Sequence, residues 1–129
     1  MNHLVVVETA KTFDEACQSL ERAVTGHGFG VLHVHDLRAT LAKKGIQLDH
    51  DVRVFDICNP RQASQVLEKS LLVSAALPCS ISVFSEPDKT QFAFVQPTAV
   101  LGLFGIPELG AIAEDVEVKV RAIVADAAR

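Results

Sequence analysis

The chain contains no tryptophan and no tyrosine, and its ring-bearing apolar residues are seven phenylalanines. A surface that stacks bases needs such rings set in a cationic field, whereas twelve Lys and Arg against sixteen Asp and Glu leave a formal charge of −4. Nucleic acid is therefore not expected as a partner. Cysteine is scarce and odd in number, at three, which argues against a secreted disulfide scaffold and for thiols kept reduced in a cytoplasm. Long hydrophobic runs are missing as well. The apolar run Leu4 to Val7 is too short for a signal-peptide core and no basic leader precedes it, so a cytoplasmic protein is expected. The most apolar later stretch, Thr98 to Ala113, is broken by Gly102, Gly105, Pro107, Glu108 and Gly110. A membrane helix needs about 20 uninterrupted apolar residues, so no membrane contact is expected either. Repeats, low-complexity tracts and polar linkers are also absent. What is present is 129 residues, 49% of them hydrophobic, which suffices for a single domain over residues 1–129 with a core of its own.

The patterning gives elements in the order β-α-β-β-α-β-β-α. Leu4 to Val7 reads as a buried strand. Thr12-Phe13-Asp14-Glu15 has the spacing of a capping box, and Phe13, Ala16, Cys17, Leu20 and Val24 then recur at helical spacing until Gly26-His27-Gly28 stops the helix. Cys17 thus falls in the core. Phe29 to Asp36 alternates as a second strand, with Leu32 and Val34 on one face and Val31, His33 and His35 on the other. A short helical turn beginning at Asp36 or Thr40 and ending at Gly45 leads to a third strand, Val52 to Ile57. Asn59-Pro60 starts a helix, because Asn caps free amides and proline at the first helical position lacks a donor that would go unpaired. Its stripe is Ala63, Val66, Leu67 and Leu71. After Leu77-Pro78, Ser80 to Ser85 and Thr90 to Gln96 form a hairpin around Glu86-Pro87-Asp88-Lys89. A last helix runs from about Pro107 to Ala128, with Leu109, Ile112, Val116, Val120, Ile123 and Ala127 on one face. The fold class is α+β, a mixed or antiparallel sheet with helices mainly on one face. The glycine-rich segment Thr98 to Ile106 covers the core or meets a second copy in a homodimer.

Three groups of residues could carry chemistry. Cys58 ends the third strand directly before the Asn59-Pro60 helix start, where amides and the helix dipole stabilise a thiolate; the plainer reading is a small residue closing a strand. Cys79 begins the next strand. Were the two strands parallel, the intervening helix would carry Cys79 to the far end of the sheet, although the Leu71 to Pro78 loop is long enough to climb back and allow a disulfide or a shared metal. His33 and His35, two apart on a strand, share a face and could hold Zn, Ni or Cu with a third ligand from His27, Asp36, His50, Asp49 or Asp51; a solvated polar face is the plainer reading. Gly26, Gly28 and Gly30 are spaced like a phosphate loop but follow a helix and precede a strand, the reverse of the dinucleotide-binding order. No G-x-S-x-G, P-loop or H-E-x-x-H occurs. A general base, a nucleophile and an oxyanion site cannot be named together, so no catalytic residue, reaction or cofactor is assigned.

Phe13-Asp14-Glu15-Ala16, Gly28-Phe29-Gly30-Val31-Leu32, Lys44-Gly45, Ile57-Cys58-Asn59-Pro60 and Leu77-Pro78-Cys79 together resemble the family called domain of unknown function 302, as far as about Phe94. The resemblance implies a small, dimeric α+β bacterial or archaeal domain of unsettled activity, in which Cys58 and Cys79 are the positions to watch. His33, His35 and Cys17 match no motif of that family, and the tail from Thr98 looks particular to this chain. The leading expectation is a thiol-, redox- or sulfur-associated binding domain using Cys58, with Cys79 and the helix-capping Asn59 beside it. The alternatives are a non-catalytic dimeric module for a small molecule or partner protein, and a metal-ion site on His33 and His35.

Overall fold

A computed structural model describes residues 2–129. Strand β1 (Leu4–Thr9) leads into α1 (Phe13–Gly26). The capping box forms as the sequence dictates: Thr12 Oγ1 accepts from the Glu15 amide at 3.2 Å, and Glu15 accepts from the Thr12 amide at 2.9 Å. The Thr12 N–H holds the Glu15 carboxyl below its ordinary value. Ala16, Cys17, Leu20 and Val24 are buried along α1, and Gly28, at φ +80°, supplies the left-handed turn out of it.

Strand β2 (Gly30–Asp36) is followed by α2 (Leu37–Lys43), which Asp36 caps through the Ala39 amide and which buries no side chain. Strand β3 (Val52–Cys58), α3 (Pro60–Lys69) and a 3-10 segment (Leu71–Ala76) come next. The hairpin β4 (Cys79–Glu86) and β5 (Lys89–Val95) then leads to α4 (Pro97–Gly102), a 3-10 turn (Pro107–Leu109) and α5 (Gly110–Ala128). The sheet order is β1-β5-β4-β3-β2 and every pairing is antiparallel. The fold is α+β.

Several features differ from the sequence pattern. Strand β1 is an edge strand with Leu4 54% and Val6 51% exposed rather than a buried one, and Leu71 falls beyond α3 and is 78% exposed, because the helix ends at Lys69. A bulge between Val31 and His33 inserts Leu32 as an extra residue. Val31 therefore pairs with buried Ile57 and packs on the core, while Leu32 is 60% exposed, the inverse of simple alternation. The Thr98 to Ile106 segment, irregular by its glycines, contains α4, started by Pro97. Leu101 is buried there and Phe104 and Ile106 pack beside it, so this stretch does cover the core; Leu103 is 85% exposed.

The interior consists of two apolar clusters. The larger joins the inner sheet face (Phe55, Ile57, Ile81, Val83, Phe92, Phe94) to α1 and to Val116, Val120, Ile123, Val124 and Ala127 of α5. The smaller gathers Val66, Val73, Leu101, Leu109 and Ala113. Only α5 contributes buried residues to both. Its last carbonyls are tied down, because Thr9 Oγ1 donates to Ala128 O at 2.9 Å and Lys11 Nζ donates to Ala127 O at 3.0 Å. No helix is long and apolar enough to cross a membrane among the described residues.

Ile123 is fully buried against the sheet. Ile123→Ala is expected to lose about 2–5 kcal/mol of unfolding free energy in urea titration, and Leu103→Ala less than about 0.5 kcal/mol.

Candidate functional site

A cavity of about 460 Å³ lies where the two apolar clusters fail to merge. Its walls draw on both clusters, with Phe29, Ile57, Phe94, Val116 and Val120 from the larger and Val66 and Leu101 from the smaller. Leu32, Pro78, Ser80 and Val95 are the exposed residues of its rim. Among the described residues no Lys, Arg, His, Asp or Glu is part of the wall. The α3 start brings Asn59, Gln62 and Ala63 to it, and the strand ends bring Cys58 and Cys79.

The two cysteines meet at one end of the sheet. Because β3 and β4 are antiparallel, with Ile57 opposite Cys79, the strand exit and the strand entry coincide. This replaces the parallel arrangement that would separate them. Both thiols are free, as is buried Cys17. Burial raises the pKa of Cys79, and the nearby Cys58 raises it further; burial likewise raises Cys17. The helix start beside Cys58 has few amides to spare. Pro60 has none, Asn59 Oδ1 accepts from Gln62 N at 3.2 Å, and Asn59 O accepts from Ala63 N at 2.9 Å.

Gln62 is the residue that motif reading passes over. It is only 8% exposed, and its Nε2 donates to Asp115 on α5. Its Oε1 is buried and has no hydrogen-bond partner among the described residues. The available signal is its spacing, since a glutamine four residues before Val66 stands on the buried stripe of α3.

His33 and His35 share the sheet face away from the helices, with ring centroids 4.7 Å apart and nearly parallel. His35 Nε2 lies 2.7 Å from Asp56 Oδ2, and Ser80 Oγ donates to Asp56 Oδ1 at 2.8 Å. The other residues named with them go elsewhere: His27 pairs with Asp126, Asp36 caps α2, His50 meets Ser85 O, Asp51 meets Arg38, and Asp49 accepts from Gln47. Among the described residues no three His, Cys, Asp or Glu groups are arranged to hold a metal ion.

Polar clamps fix the helices that wall the cavity. Glu117 of α5 accepts from Thr98 N at 3.2 Å and Thr98 Oγ1 at 2.7 Å, tying down the first turn of α4. Asp115 holds Gln62 and also pairs with Lys119 at 2.9 Å. Burial pushes the Glu117 carboxyl up, but hydrogen bonds from Thr98 and Arg121 outweigh it and leave the pKa lowered. Hydrogen bonding to Lys119 lowers Asp115. Burial also pushes the Asp56 carboxyl up, but hydrogen bonds from His35 and Ser80 outweigh it and leave the pKa lowered.

An antiparallel sheet backed by helices on one side, with an apolar cavity at one end, defines a two-layer α+β protein. Within that class, the model of the family described as Domain of unknown function DUF302 matches residues 5–127, and the chain belongs to this family. The match extends past Phe94 through α4 and α5, so the tail from Thr98 is part of the family's domain. The crystal structure of an uncharacterized conserved protein DUF302 from Bacillus stearothermophilus is similar, with 30% identity, a TM-score of 0.94 and 100% of each chain covered. Among curated proteins nothing matches.

A carboxyl whose folded pKa is depressed stabilises the fold above its unfolded pKa and loses that contribution as the pH falls through the folded value. With Asp56, Asp115 and Glu117 all lowered, the melting temperature should hold steady above about pH 5 and fall below about pH 4. Thermal melts across that range check this, and Glu117→Gln should make the acid limb shallower.

Proposed function

We propose that the chain is a non-catalytic binding module that takes a small apolar molecule into the cavity between sheet and helices. The observation that carries this reading is the cavity of about 460 Å³ with its uncharged, predominantly apolar wall. Its volume falls within the range of about 300–1,000 Å³ typical of small-molecule sites, and a few polar groups in an apolar lining is the usual composition of such sites. N-phenyl-1-naphthylamine, a neutral probe that brightens in apolar surroundings, should bind the wild-type protein. Ala63→Phe, which adds a ring to the wall, should weaken that binding at least about tenfold while the protein keeps its cooperative melt. Failure of the wild type to bind any neutral apolar probe of this size would count against the reading.

A second reading, sulfur or redox chemistry on Cys58 and Cys79, is favoured by the presence of both thiols in the wall of this cavity. The burial that raises Cys79 works against it, since a protonated thiol is a poor nucleophile. Iodoacetamide should modify Cys79 more slowly than a cysteine in an unfolded peptide, and bound N-phenyl-1-naphthylamine should slow it further. Modification of Cys58 faster than in an unfolded peptide would move the thiol reading to first place.

The reading includes assembly as a homodimer in a cytoplasm, the compartment that suits three free thiols. Leu4, Val6 and Val95 are about half exposed on the sheet face opposite the helices. A two-fold interface is self-complementary, and a second copy lays the same apolar stripe onto this one. Sedimentation equilibrium at low micromolar concentration should give a dimer for the wild type and a monomer for Val6→Lys.

A further inference from the structure

Gln62 poses a question that the fold does not answer. Buried polar atoms are nearly always paired, because an acceptor left without a donor has lost its hydration and gained nothing in return. The orientation of its amide follows from chemistry. Asp115 carries a depressed pKa through its Lys119 hydrogen bond, so at neutral pH it is an ionised carboxylate that can only accept. The amide must therefore turn its NH₂ toward Asp115, which leaves Oε1 on the other side, buried in a residue of the cavity wall and unpaired among the described residues.

Two further polar side-chain atoms of the wall, Asn59 Oδ1 and Ser80 Oγ, already have partners. Asn59 Oδ1 accepts from Gln62 N, and the Ser80 hydroxyl donates to Asp56. With no charged side chain in the wall, neither an anionic nor a cationic ligand finds a counter-charge, and burying either would be costly. An ether or ester offers only acceptors to an acceptor.

We infer that Gln62 Oε1 is the anchoring acceptor of the cavity, and that the ligand is a neutral, mainly apolar molecule with a single hydrogen-bond donor, such as an alcohol or a phenol. The inference rests on the ligand-binding reading and narrows it to a chemical class. Asp115 acts as a positioning residue, since it touches the amide and not the ligand. A site built to receive a donor rejects the analogue that lacks one, because the buried acceptor is then left unpaired.

The test compares 2-naphthol with 2-methoxynaphthalene, which share a ring system and differ in the donor. Their fluorescence can be read without protein background, since the chain has no tryptophan or tyrosine. Wild-type protein should bind 2-naphthol at least about tenfold more tightly. Gln62→Met, similar in length and without the acceptor, should bring the two affinities together by weakening 2-naphthol and not 2-methoxynaphthalene. Asp115→Asn, which no longer dictates the amide orientation, should reduce the preference severalfold and serves if Gln62→Met does not fold. Equal affinities in the wild type, a preference that survives both substitutions, or 2-naphthoate binding as tightly as 2-naphthol would overturn the inference and leave the ligand-binding reading standing. Binding of none of the three by the wild type would overturn both.

Discussion

The structure depends on one helix serving two cores. The inner face of the sheet supplies six buried residues of the larger cluster, and α1, Phe29 and the carboxyl-terminal two thirds of α5 supply the rest. The amino-terminal turns of α5 close the smaller cluster through Leu109, just before the helix, and Ala113. At 1.5 Å per residue such a helix reaches about 28 Å, enough to connect the two ends of a small domain. Each wall that leans on it is held by a polar clamp as well as by packing: Asp115 for α3, Glu117 for α4, and the terminal carbonyls for the loop after β1. The clamps matter because α4 is too short to stand as an independent helix, and its docking depends on what α5 presents.

A single helix shared between two clusters also explains why a cavity exists. Val116 and Val120 belong to the cluster on the sheet and Ala113 to the smaller one, and the cavity opens between them, walled by Ile57, Phe94 and Val66. Close packing is the rule in protein interiors, and a space of this size open to the surface departs from it at this end of the sheet. The same place receives the α3 start, the ends of β3 and β4, and Gln62. Those arrivals follow from antiparallel topology, which returns the chain to the end of the sheet it has just left.

The elements with strong local chemistry were legible in the sequence. The capping box at Thr12 and Glu15, the Asn59-Pro60 helix start, the hairpin around Pro87 and the stripe of α5 all announce themselves within a few residues. The Leu32 bulge was not, because a bulge is decided by what lies across the ladder and leaves the alternation of its own strand looking normal. Helix α4 was hidden by Gly102 and Gly105, and its support comes from Glu117, distant in sequence. At the site, the sequence pointed to Cys58, Asn59 and Cys79, which do line the cavity, and to His33 and His35, which lie on the opposite face. It passed over Gln62, whose character depends on Asp115, 53 residues away. Separation in sequence also explains why the relation between the two cysteines stayed open, since strand direction is a property of the whole sheet.

The pairing of β1 has a consequence for how the chain comes into being. Leu4 to Thr9 bond only to Val95 through Thr90 in the ladder, and Thr9 then caps Ala128. Strand β1 therefore has no ladder partner until the hairpin β4-β5 has been synthesised, and no partner for Thr9 Oγ1 until α5 has emerged. Through most of synthesis its inward residues Val5 and Val7 wait uncovered, while β2, β3, β4 and their helices already hold neighbours close in the chain. The contacts that close the molecule, Thr9 to Ala128 and Lys11 to Ala127, thus span 119 and 116 positions and carry the largest loop-closure cost.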